Sequence, residues 1–125
     1  MALPNMKIAL NFHAWGNLFI YPFQFDSSSN TLLKSDFAKA EQFYLKLIAD
    51  IELPSYYKSG NAMQTINYRA NGEASDWMLG ELGIYAVSVE LGGLTKSTRS
   101  FFIEKASDLK EILLENSPWI SKTML

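Results

Sequence analysis

The chain has 125 residues, 48% of them hydrophobic and 19% charged, so it is long enough to bury one core and too short for two. Its formal charge of -2, with Lys and Arg scattered, offers no basic stripe to a phosphate backbone and argues against nucleic acid as a partner. Without cysteine there is no disulfide framework, thiolate metal site or thiol nucleophile, and no apolar run approaches the roughly 20 residues that a membrane helix needs.

Residues 6–14 read as a short buried strand in which Ile8, Leu10 and Phe12 alternate with Ala9 and Asn11. The chain's one histidine, His13, falls at the carboxyl end of that strand. Residues 17–25 are β-prone aromatics broken by Pro22, and DSSSN at 26–30 is a loop of short polar side chains. Ser35 is the expected N-cap of a helix in which Phe37, Ala40, Tyr44, Leu47, Ile48 and Ile51 recur at helical spacing until Pro54. The stretch SYYKSGNAMQTINYRANGEASD, residues 55–76, has neither helical nor strand periodicity and reads as one long loop.

Ser75 is then expected to cap a short helix through Leu82, with Gly83 in the left-handed terminal position. Residues 84–91 return as a strand with Tyr85, Val87 and Val89 on one face and Glu90 at its carboxyl end. Ser107 is the expected cap of a last helix carrying Leu109, Ile112 and Leu113 on one face, which Pro118 kinks or restarts. Strand, helix, loop, helix, strand, helix in one continuous unit is an α/β order.

In open α/β sheets ligands gather beyond the carboxyl ends of the strands, where His13 and Glu90 both fall. An imidazole beside a carboxylate can act as acid and base or contribute to a metal site, whereas an isolated histidine is most simply packed against backbone and Glu90 can simply emerge into solvent. One His and no Cys do not make up the three protein ligands of a catalytic zinc.

The words around these residues carry more. NFHAWGNLFIYPF, residues 11–23, resembles the strand and turn of zinc carboxypeptidases in which a histidine ligand is followed by a small residue, an aromatic and a run ending in Tyr-Pro. TINYRANGEASDWMLGELGIYAVSVELG, residues 65–92, is similar to the same family's tyrosine loop, its Asp-Trp helix start and its Glu-Leu strand end, with wording nearest the broad-specificity, carboxypeptidase T-like branch. The resemblance covers nearly the whole chain. It implies a partial mixed β-sheet flanked by helices, matching the C-terminal portion of that catalytic domain, and hydrolysis of C-terminal peptide bonds by zinc-activated water.

Carried over residue by residue, the resemblance makes His13 the third zinc ligand and Glu90 the carboxylate that takes a proton from the metal's water and delivers it to the leaving amine. Tyr68 matches the tyrosine that closes over the peptide terminus, and Ala14 and Trp15 match groove-lining positions. Met63, Ala70 and Ser75 fall at or near the pocket for the C-terminal side chain; a neutral Ser75 argues against purely basic specificity, though a helix cap explains it equally well. Tyr68 taken alone can also be a loop aromatic covering the core, Asp76 and Trp77 read as structural landmarks with the indole packing inward, and Glu73 and Glu81 as solvated helix-end charges.

The family's other two zinc ligands come from a His-x-x-Glu motif, and arginines and an asparagine hold the substrate carboxylate; this chain has no His-x-x-Glu, and Arg69 and Arg99 do not stand at the clamp positions. Gly92 stands where many members carry Arg. The expectation is therefore residues 1–125 as a single, incomplete domain, inactive alone, whose apolar strand edges invite self-association, with peptide or protein C-termini as substrate of the parent protein. The alternative is a non-catalytic pseudoenzyme or truncated product acting as an interaction module. A metal-free small-ligand module needs a phosphate-binding Gly-rich loop, for which Gly92-Gly93 is too weak a signal. The family is often extracellular or vesicular, but this chain shows no signal peptide, so its compartment is unreadable.

Overall fold

A computed structural model describes residues 5–25, 31–93 and 105–124, the side chains of 31–36 excepted. In chain order the elements are β1 (Ile8–Ala14), β2 (Leu18–Ile20), α1 (Thr31–Asp50), β3 (Lys58–Gly60), α2 (Ala62–Thr65), α3 (Ala74–Leu82), β4 (Tyr85–Leu91) and α4 (Ala106–Lys122). The four strands form one mixed sheet in the order β1-β4-β2-β3, with β1 parallel to β4, β2 antiparallel to β4 and β3 parallel to β2. The expected α/β fold, a mixed sheet flanked by helices, is what the chain adopts.

Side chains alternate across a strand, so the register sorts the sheet into two faces. One carries Leu10, Val87, Val89 and Phe19 and packs on Ala40, Tyr44, Leu47 and Ile51 of α1 and on Trp119 of α4. This is the core, and aromatic rings build much of it: Tyr21 stacks on Tyr44 at 4.8 Å, Phe43 on Tyr85 at 3.6 Å, and Trp119 meets the edges of Phe19 and Tyr57. The Tyr44 hydroxyl donates to the Ala86 carbonyl, and burial pushes its phenol well above the ordinary range. The opposite face carries Asn11, His13, Ser88, Glu90, Leu18 and Ile20.

Several local expectations change. α1 begins at Thr31, so Ser35 lies inside the helix rather than capping it; four residues of good helix-forming composition upstream extend the pattern. The helix ends without glycine, because Glu52 takes the left-handed position (φ 53°) and Leu53 N–H reaches back to the Ile48 carbonyl. The loop expected over 55–76 contains β3 and α2, both too short for periodicity to reveal; β3 pairs with β2, and Asn61 caps α2 by accepting from Gln64 N–H while Gln64 Oε1 accepts from Asn61 N–H. Gly83 ends α3 as expected, with φ 64° and Ile84 N–H bonded to the Met78 carbonyl.

Ser107 lies within α4, whose N-cap is Lys105; the cap N–H donates to the Asp108 carboxylate instead. The buried face of α4 is Ile112, Asn116 and Trp119, while Leu109 and Leu113 are exposed, because Asn116 is drawn into a polar node with Tyr57 and Trp119. Pro118 neither stops nor restarts this helix, which runs continuously to Lys122. The expected loop at 26–30 and Arg99 lie outside the described residues.

Candidate functional site

β1 and β2 flank β4, and residues 15–17 carry the chain from one to the other across the carboxyl end of β4. The crossing is pinned: the Gly92 carbonyl accepts from Gly16 N–H at 2.7 Å and from Asn17 N–H at 2.9 Å. A side chain at Gly93 would meet Asn17 Nδ2 at 3.1 Å and the Gly16 carbonyl carbon at 3.3 Å, so glycine is what lets the two turns approach. In this frame His13 is the direct register partner of Glu90, and Glu90 in turn pairs with Leu18.

Partners in adjacent strands sit about 4.8 Å apart and project to the same side of the sheet, so imidazole and carboxylate share one face and one end. His13 is exposed and Glu90 half-buried. Burial raises the Glu90 carboxyl above its ordinary value; the His13 charge opposes this and Glu73 adds to it. The upward direction favours the protonated carboxyl relative to a free glutamate. Glu73 stands at the N-cap of α3, a helix-end position as its place in the sequence suggests, and adds the smallest of the three contributions at Glu90.

The remaining expected residues are distributed around this end of the molecule. Ala14 closes β1 beside Leu91, and Trp15 follows it, both exposed. Met63 on α2 is 46% exposed and Tyr68 is 61% exposed, in the segment between α2 and α3 just after the left-handed Asn67. Ala70 N–H donates to the Gln24 carbonyl at 3.1 Å. Ser75 is not the cap of α3: the N-cap is Glu73, with no side-chain capping bond, and Ser75 is fully buried, its hydroxyl oxygen accepting from Gln24 Nε2 at 2.7 Å. Trp77 does not pack inward but is 57% exposed.

Asp76 is the strongest tie in the region. Its carboxylate accepts the Gln24 N–H at 3.0 Å and the Phe25 N–H at 3.3 Å, so the chain after β2 is bound to the first turn of α3. Burial nevertheless pushes its carboxyl up to about 6, the two amide bonds opposing the rise. A folded value raised above the ordinary 3.8 gives stability that is complete below that pH and is lost as pH climbs through about 6. Unfolding free energy should therefore fall between pH 4 and pH 7, by about 2 kcal/mol from this partly hydrated group. Asp76→Asn should flatten that slope, as read by denaturant titrations at several pH values.

Gln24 is the residue that sequence reasoning missed. The signal was available: a lone amide in the aromatic run YPFQF, 3% exposed in the fold, must find buried partners. Ser88, on the same face as the His13–Glu90 pair and two residues before Glu90, has a buried hydroxyl without a hydrogen-bond partner among the described residues. A cavity of about 610 Å³ lies elsewhere, between α1 and α3, lined by Phe23, Lys39, Trp77 and Tyr85 among others, and includes neither His13 nor Glu90.

Among the described residues no group of three or more His, Cys, Asp or Glu could hold a metal ion, so these residues do not by themselves fit a zinc centre. No described helix is long and apolar enough to cross a membrane. No curated protein matches the chain. The family model described as zinc carboxypeptidase matches residues 3–118, which takes in the whole site just described. With that match over nearly its full length, the chain belongs to the zinc carboxypeptidase family.

Proposed function

We propose that residues 1–125 are the C-terminal portion of a carboxypeptidase catalytic domain that removes residues from peptide and protein C-termini. His13 supplies one metal ligand, Glu90 is the general base and acid, and Tyr68 closes over the substrate terminus. Ala14 and Trp15 line the groove, and Met63, Ala70 and Ser75 surround the last side chain. The observation that carries this is the register pairing of His13 with Glu90 at the end of adjacent strands, in a chain of this family. Zinc is the family's metal, and the described residues do not by themselves make up its ligand set.

The chain alone is expected to retain little zinc after dialysis and to leave an N-blocked dipeptide with a free C-terminus intact. The full-length protein is expected to hold zinc stoichiometrically and to cleave it. Robust turnover by the chain alone would refute the proposed division, and a zinc-loaded full-length protein without turnover would refute the peptidase reading. The second outcome favours a non-catalytic interaction module, a reading supported by exposed Phe12 on the outer strand β1 and by Trp15 just beyond it.

A further inference from the structure

We propose that the cavity between α1 and α3 is a second binding site of this protein, taking a small organic cation whose ammonium group is carried on an aromatic or branched apolar body. The cavity measures about 610 Å³, the size of small-molecule sites, and none of the residues assigned above to the metal, the proton transfer or the substrate lines it. Its walls are largely rings: Phe23 and Phe25 from the segment after β2, Trp77 from α3 and Tyr85 from β4. Phe23 packs edge-on against Phe25 at 5.5 Å and Tyr85 stacks on Phe43 at 3.6 Å, so these walls are set before a ligand arrives. Gly80, four residues beyond Asp76 on α3, also lines the cavity. It has no positive φ, and a Cβ built on it would meet no atom within 4 Å. Neither backbone strain nor a close neighbour calls for glycine in this helix, where it is a poor helix former, and its missing side chain leaves the wall open.

The charges in the lining select the ligand. Two carboxylates, Asp76 and Glu81, stand there against the ammonium of Lys39 on α1. Asp76 is buried; the backbone N–H groups of Gln24 and Phe25 hold its carboxylate, and the charge that acts on it is the like-signed Glu73. A carboxylate oxygen accepts more than one hydrogen bond, so Asp76 keeps acceptor capacity for an ammonium N–H. A neighbouring recess lined by Phe25, Glu73, Asp76 and Trp77 among others continues the same acidic, aromatic surface. A cation in the cavity pairs with buried negative charge and lies against ring faces, both of which favour it. An anion meets two carboxylates in a poorly hydrated space, and a neutral body gains the apolar walls alone.

The test is calorimetric titration of the full-length protein with benzylamine, benzyl alcohol and benzoate in mildly alkaline buffer, where Asp76 is ionised. Benzylamine should bind tighter than the alcohol of the same shape by about tenfold or more, and benzoate weakest. Gly80→Leu, which fills the wall and favours the helix, should weaken benzylamine by about tenfold or more and leave dipeptide turnover unchanged. Asp76→Asn keeps an acceptor for the Gln24 and Phe25 amides and removes the charge, so it should bring benzylamine down to the level of the alcohol; if this variant does not fold, Gly80→Leu decides. Equal affinity for amine and alcohol, or preference for benzoate, would overturn the proposal. So would benzylamine binding that survives Gly80→Leu and is displaced by the dipeptide, which would assign it to the paired site. Binding is read without turnover, so a full-length protein that cleaves nothing would sink the peptidase reading and leave this inference to the titrations.

Discussion

Asn116→Ala is expected to lower the unfolding free energy by about 3 kcal/mol. Asn116 is 3% exposed, and its Oδ1 accepts both the Tyr57 hydroxyl at 2.7 Å and the Trp119 indole N–H at 2.9 Å, while Nδ2 donates to the Ile112 carbonyl. Alanine strands two buried donors at once, and each stranded group costs about 1–3 kcal/mol. It also loosens the ring cluster in which Trp119 meets Phe19 and Tyr57. Asn116→Asp keeps the acceptor and should recover part of the loss. Denaturant titration of both variants decides the matter: an alanine variant within 0.5 kcal/mol of wild type would show that the node does not hold α4 to the β3 side of the sheet.

The second large effect concerns the paired site. In the full-length protein Glu90→Gln should lower kcat by about 10² to 10⁴ while leaving KM and zinc content near wild type, because it removes a proton acceptor and keeps shape. His13→Ala should lower zinc content together with the rate, since a lost ligand acts on the metal before it acts on the chemistry. The two signatures separate a base from a ligand even though the residues are register partners. A Glu90→Gln variant with wild-type kcat would remove Glu90 from the mechanism. A His13→Ala variant that keeps its zinc would remove His13 from the ligand set.

The comparison of these two regions shows why one was legible in the sequence and the other was not. His13 and Glu90 each lie at the carboxyl end of a periodic strand, and alternation alone placed them there. Their adjacency is different in kind: they are 77 positions apart, and only the parallel pairing of β1 with β4 joins them. Gln24 and Asn116 look unremarkable as letters because an amide declares its role only through its partners, and Gln24 finds Ser75 51 residues away while Tyr57 finds Asn116 at a separation of 59. The caps misread at Ser35, Ser75 and Ser107 have a common cause. A serine near a helix start is a local signal, and in α3 the tertiary partner Gln24 outcompeted the helix for the Ser75 hydroxyl.

What the sequence determined by itself was whatever depends on neighbours along the chain. That covers the α/β order, the apolar face of α1, the Gly83 terminus, the strand ends bearing His13 and Glu90, and the family wording of residues 11–23 and 65–92. The tertiary structure alone decided the order β1-β4-β2-β3, the pinning of the β1–β2 crossing by the Gly92 carbonyl, the inward turn of Asn116, and the convergence of Ala70, Ser75 and Asp76 on Gln24. The physical reason is that hydrophobic periodicity is a property of one segment, whereas a buried hydrogen bond is a property of two, and its second half is written nowhere near the first.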